Sequence, residues 1–199
     1  MNPNDPLFVR FAAGSSGGWD IRTISCLSGP ELPMAPRLEI VEGEAARITR
    51  PCIWHLRGIT SHLRYTTASE ARQLKAVQPP LGRPEATRAA LIPIRKSAEW
   101  WQMPQDERRA IYEERSHHTS IGMEYLPRIA RRLHHCRDLG EPFDFLTWFE
   151  FAPEDEAAFD VLLARLRATE EWRYVESEVE VRLSRREVLR APRDAIRLF

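Results

Sequence analysis

Between Val175 and Leu183 the side chains alternate strictly: Val175, Ser177, Val179, Val181 and Leu183 are interleaved with Glu176, Glu178, Glu180 and Arg182. A period of two is the signature of a strand with one buried and one wet face, and no helix can satisfy it. Upstream, Phe159, Leu162, Leu163 and Leu166 recur at i, i+3, i+4 and i+7, behind an acidic turn of Glu154, Asp155 and Glu156 that suits a helix N-terminus. Before that helix, the aromatic-rich FDFLTWFEF (143–151) and RIARRLHHC (128–136) flank the turn-like DLGEP, so they read as the arms of a hairpin. Earlier still, Ala90 to Lys96 reads as a strand, and Pro104 with Asp106 and Glu107 opens a helix carrying Ile111, Tyr112 and the His117/His118 pair.

The order from residue 90 is therefore β-α-β-β-α-β, the ferredoxin-like unit. The first half carries strand-like runs at FVRFAAG, GGWDIRTISCL, RLEIVEG and WHLRGITSHLRYT, and a helical one at Ser69 to Val77. It reads as a degenerate copy of the same unit. Two such sheets joined edge to edge form an α+β barrel without exposed strand edges. The expected division is 1–89 for the N-terminal half, 90–185 for the C-terminal half and 186–199 for an arginine-rich tail that reads as a solvated arm.

Charge narrows the partners. With 29 Lys plus Arg against 29 Asp plus Glu the net charge is zero, which removes the main support for a nucleic-acid partner. Lys75 and Lys96 are the only lysines, so 27 of the 29 cations are arginine. The longest apolar stretch, Ala89 to Ile94, falls far short of the roughly 20 residues a membrane helix needs. The N-terminus has no export signal, so a cytoplasmic location is expected. Cys26, Cys52 and Cys136 form no CxxC pair, which argues against a disulfide framework or thiolate zinc site.

The common phosphate-loop, dinucleotide, hydrolase and zincin motifs are absent: GSSGG at 14–18 does not fit GxGxxG. Histidine remains, as His117/His118 and His134/His135. Helical neighbours point about 100° apart, so only one of the first pair can face a given pocket. Six tryptophans suit a core, but Trp100-Trp101 following Lys96 also suits a planar apolar cofactor with acidic edges.

Three blocks, ALIPIRKSAEWW, RSHHTSIGMEYLPRIARRLHHCRDLGEPFDFLTWFEF and LRATEEWRYVESEVEVRL, resemble the chlorite dismutase family of haem proteins, in its short, dimeric branch. The resemblance covers about residues 50 to 185. It implies a dimeric α+β barrel of two ferredoxin-like halves, with haem b in the C-terminal one. The family's proximal ligand precedes a tyrosine by seven residues and the distal residue by thirteen, which His118, Tyr125 and Arg131 satisfy. His118 is then the iron ligand and Arg131 the catalytic residue. A carboxylate receiving the proximal imidazole N–H lies at ATEEW, where Glu171 fits best and adjacent Glu170 is the alternative. Lys96 and Trp100 fall beside the haem, Lys96 and Tyr65 at its propionates, and Gln78 where a glutamine hydrogen-bonds the distal arginine.

The implied reaction converts chlorite to chloride and dioxygen through a ferryl oxygen and a trapped hypochlorite, in a homodimer that needs neither nucleic acid nor membrane. Its atoms balance without a proton, so a permanently charged arginine suits it better than a titrating histidine. The competing readings are a peroxidase-like haem protein of the same fold and a haem sensor or storage module. Arginine is a poor distal base for the first and has no necessary role in the second.

Overall fold

The computed structural model describes residues 7–47, 50–60 and 65–186. The arginine-rich arm expected beyond residue 186 and the expected strand residues 61–64 lie outside the described residues. Eight antiparallel strands close into a barrel: β1 (Leu7–Gly14), β2 (Trp19–Ser28), β3 (Arg37–Glu42), β4 (Trp54–Thr60), β5 (Arg88–Lys96), β6 (Ala130–His135), β7 (Phe145–Phe151) and β8 (Val175–Arg185). Around the barrel they run β1-β3-β2-β8-β5-β7-β6-β4, with β4 returning to β1.

From residue 90 the structure has the expected element order. Between β5 and β6 lie α2 (Ala98–Gln102), α3 (Gln105–Arg109), a π-helical turn (Ala110–Arg115) and α4 (His118–Glu124); α5 (Glu156–Arg167) joins β7 to β8. The continuous helix expected from Pro104 through His118 is thus broken. In the first half the strands are present but the helices differ from the expected copy. Four residues join β1 to β2 and a 3-10 turn (Gly43–Arg47) lies between β3 and β4, while the helical run expected at Ser69 to Val77 is present as α1 (Ala68–Val77), after β4. The β1–β2 link crosses β3 at Gly17, whose φ is +137° and where a Cβ would fall 2.1 Å from the Leu38 carbonyl oxygen. Only glycine permits that crossing.

The period of two sorts the strands into two cores. Leu91, Leu146, Trp148, Val179, Val181 and Leu183 point into the barrel with Phe11, Leu38 and Leu56. Ala90, Ile92, Ile94, Phe145, Phe149 and Phe151 point outward and are covered by Phe159, Leu162, Leu163 and Leu166 of α5. Each large apolar side chain buried this way stabilises by roughly 1.5–3 kcal/mol. The outer face of β8 is not the wet face the alternation suggested. Glu178 is 3% exposed, receiving Arg167 Nη2 at 2.6 Å and Trp172 Nε1 at 2.8 Å. Paired charges let this acidic face pack beneath α5. Among the described residues no helix is long and apolar enough to cross a membrane.

Candidate functional site

Outside the barrel, between the β5–β7–β6 face and the helices, lies a cleft of about 1320 Å³, counting its open mouth. Ile92, Ile94, Phe145, Phe149, Leu163 and Leu166 supply apolar walls, and the polar groups converge from separate elements.

His118 is the first residue of α4, and the break before it explains its placement. Glu113, in the π-helical turn, accepts from the backbone N–H of Thr119 at 2.6 Å and of Ser120 at 3.2 Å, and from Ser120 Oγ at 2.5 Å. Its carboxylate therefore takes the role of an N-cap for α4. His117, at the break, adopts a left-handed backbone with φ 53° and is exposed. Of the pair, only His118 lines the cleft.

The His118 side chain is 18% exposed, and its Nδ1 lies 2.6 Å from Glu171 Oε2. Glu171 belongs to a 3-10 turn (Glu171–Tyr174), where its backbone N–H donates to Ser116 Oγ at 2.9 Å. Lys96 Nζ donates to the other carboxylate oxygen at 2.7 Å and to the Glu171 carbonyl at 3.2 Å. Burial by itself would raise the Glu171 carboxyl, but the Lys96 and His118 charges and hydrogen bonds outweigh it and hold the group down at about 2. An ionised Glu171 only accepts, so His118 Nδ1 is the donor of that bond and, in the neutral imidazole, Nε2 holds the lone pair. No described residue bonds Nε2. Glu170, the sequence alternative, pairs instead with Arg115 at 3.3 Å.

Lys96, expected at a propionate, has its ammonium paired within the protein. Its side chain is 2% exposed, committed to Glu171, and lies 4.6 Å over the Trp100 ring. The alternation along β5 places Lys96 on the cleft side with Ile92 and Ile94, and the nearest anion to an ammonium there is Glu171. Trp100 is fully buried, lines the cleft, and its Nε1–H has no partner among the described residues. Tyr65 packs edge-on to it at 5.9 Å.

Arg131, Leu133 and His135 alternate along β6 toward the cleft. The Arg131 guanidinium rests against Gly122 of α4, where a Cβ would fall 2.8 Å from Nη1. It makes no ion pair or hydrogen bond with a described residue. Gln78, the C-cap of α1, reaches Arg131 differently from the expectation: its Nε2 donates to the Arg131 carbonyl oxygen at 2.6 Å, not to the side chain.

Sequence reading missed Glu113, Ser116 and Tyr112. Tyr112 stacks on the His118 imidazole, centroids 4.5 Å apart at 22°. It also missed Arg109, which donates to the Tyr65 carbonyl and to both Glu70 oxygens, at 3.0 and 2.6 Å, tying the segment before α1 to α3. Their spacing carries no signal, because a broken helix brings them together.

Fold and site define the class: a mixed α/β barrel protein whose cleft sets a carboxylate-backed imidazole among apolar walls with a guanidinium that is unpaired among the described residues. The family model for chlorite dismutase matches residues 44–187, and the chain belongs to the chlorite dismutase family. Chlorite dismutase of Ideonella dechloratans is 31% identical over 121 residues, which are 60% of this chain and 40% of that relative. The chain thus spans well under half of that protein. The dimeric chlorite dismutase of Nitrobacter winogradskyi is 54% identical, with a TM-score of 0.83 over 89% of this chain and 99% of that one. A mutant chlorite dismutase of Candidatus Nitrospira defluvii shares the fold at 20% identity, with a TM-score of 0.64 over 89% of this chain and 91% of that one.

Proposed function

We propose that this chain is a haem b-dependent chlorite dismutase that converts chlorite to chloride and dioxygen. In this reading it works as a homodimer of two ferredoxin-like halves, 1–89 and 90–185, with haem in the second. The observation that carries the proposal is the Lys96–Glu171–His118 relay, which presents one free imidazole nitrogen in an apolar cleft that also holds the unpaired Arg131.

The residues present fit haem. Among the described residues no group of three His, Cys, Asp or Glu side chains could hold a bare ion, so a single imidazole such as His118 would suit iron that brings its remaining ligands with it. The apolar walls suit a flat macrocycle, and the orphaned Nε1–H of Trp100 suits an acidic edge group. Tyr65, beside Trp100, suits the same edge. When bound, the haem iron supplies the electron transfers and an open coordination position for the anion.

The chain's own residues would divide the rest. His118 holds the iron through Nε2, and Glu171, accepting from Nδ1, makes the imidazole a stronger donor. Lys96 keeps that carboxylate ionised, so the proton stays on Nδ1. Arg131 attracts chlorite and holds the anionic fragment through the second half of the reaction, in a setting where a guanidinium cannot lose its proton. Gln78 fixes the strand that carries Arg131. Chlorite contains every atom of both products, so no general acid or base is needed.

The test is reconstitution with haemin, followed by an absorption spectrum and an oxygen electrode. A high-spin ferric spectrum and oxygen evolution from chlorite are expected. Haem-loaded protein that evolves no oxygen would overturn the dismutase reading in favour of a sensor or storage role. Arg131→Ala should retain haem and release hypochlorite to a chlorination-sensitive dye.

A further inference from the structure

Resting on the assignment of His118 as the iron ligand, we propose that Tyr112 is a positioning residue that sets the plane of the His118 imidazole. The hydrogen bond from Nδ1 to Glu171 fixes which nitrogen is protonated. One such bond still leaves the ring able to rock about the line to the carboxylate. Tyr112 removes that freedom by lying nearly parallel to the imidazole, centroids 4.5 Å apart at 22°.

Tyr112 is itself held. It also packs on the ring of Tyr65, at 5.4 Å and 41°, and Tyr65 packs on Trp100 at 5.9 Å. The ring thus sits in a packed aromatic row beginning at His118. The backbone beneath it is unusual for the same end. Residues 110–115 form a π-helical turn, a widened geometry that recurs at functional sites. This turn sends two consecutive side chains to α4: Tyr112 onto the ring of His118, and Glu113 onto the backbone N–H groups of Thr119 and Ser120. An ordinary helix continuing through His118 would leave Glu113 no open N–H groups to cap. Tyr112 needs no ionisation for this role, and burial, the largest influence on it, raises its phenol to about 12.

The orientation of an axial imidazole governs the rhombicity of a ferric haem's electron paramagnetic resonance, which gives the role a readout separate from turnover. The variants are Tyr112→Phe, which keeps the ring, and Tyr112→Leu, which keeps bulk without a π face. In haem-free protein, NMR should find the His118 ring protons shifted upfield by the stacked ring in wild type and Tyr112→Phe, and released in Tyr112→Leu. Wild-type protons at unstacked positions would overturn the proposal even if the leucine variant failed to fold. In haemin-loaded protein, Tyr112→Leu should broaden the spread of rhombicity and speed haem loss by about two- to tenfold, the scale of one stacking contact. Tyr112→Phe should restore both. An unchanged spectrum in Tyr112→Leu would overturn the proposal. A wild type that takes up no haemin would instead refute the functional assignment, with the haem-free measurement still deciding the stack.

Discussion

Replacing Lys96 with methionine tests the electrostatic centre of the site. Lys96 and Glu171 are 2% and 4% exposed at their side chains, and their charges meet at 2.7 Å. Removing one partner of a buried pair costs about 3–5 kcal/mol, because the other charge is left without compensation. Glu171 would keep the 2.6 Å contact with His118, which places the expected cost near the lower end. The carboxyl gives a figure of the same order: held at about 2 against an ordinary 4.5 by Lys96 and His118 together, it contributes about 3 kcal/mol. A depressed carboxylate contributes this fully above 4.5 and loses it as the pH falls toward 2. Urea unfolding of the haem-free proteins should therefore show Lys96→Met about 3 kcal/mol less stable at pH 7, with the deficit shrinking below pH 4.5. Adding Glu171→Gln should recover part of the loss. A deficit under about 1 kcal/mol, or one that does not change with pH, would refute the coupling. Because Lys96 is committed to Glu171, the variant should also discriminate between haemin and its dimethyl ester as the wild type does.

Three further outcomes are expected. His118→Ala should lose the axial imidazole signature in the reconstituted spectrum, whereas His117→Gly should keep it and be as stable or slightly more so, since glycine accepts φ 53° without strain. Gly122→Ala adds a methyl 2.8 Å from Arg131 Nη1, at the mobile end of a long side chain. Its melting temperature should hold while oxygen yield falls and hypochlorite release rises. His134, held at about 3 by burial and then by Arg132 and His135, binds protons in the unfolded chain before it does in the folded one. Stability should fall by about 2 kcal/mol from pH 8 to pH 5 on this account, and His134→Asn should remove that part of the slope in urea titrations.

Part of the C-terminal architecture was legible because β8 and α5 carry their periods in the sequence. The alternation at 175–183 and the 159/162/163/166 stripe describe β8 and α5 without knowledge of what covers them. The ring order was not legible: β4 meets β6 through Ile59 opposite His135, a pairing across 76 residues that no local pattern encodes. The wet face of β8 was misjudged for a similar reason, since Arg167 and Trp172, which dry Glu178, lie outside the strand. His118 and Arg131 came from long matching blocks rather than from residue chemistry. The pairing of Lys96 with Glu171 was not legible either, because Glu171 lies 75 positions away and the sequence shows only that a cation is present.

That cation is one of two lysines among 29 basic residues, and the geometry gives a reason for lysine at this position. The buried ammonium finds two acceptors, Glu171 Oε1 and the Glu171 carbonyl, and two aromatic faces, Trp100 at 4.6 Å and Trp172 at 5.7 Å. A compact point charge with three donors suits those surroundings. A guanidinium brings five N–H donors in a rigid plane, and with two acceptors at hand the surplus would be buried unpaired, each costing about 1–3 kcal/mol. Lys96→Arg, which preserves the charge, should therefore destabilise the haem-free protein at least as much as Lys96→Met. If arginine instead matched the wild type in urea unfolding, charge alone would suffice and the argument from donor number would fail. The same reasoning accounts for Arg131 across the cleft. There the cation has no carboxylate to neutralise it among the described residues, while the Lys96–Glu171 pair sums to zero. The guanidinium therefore sets a positive potential in the cleft, the sign a small anionic substrate requires.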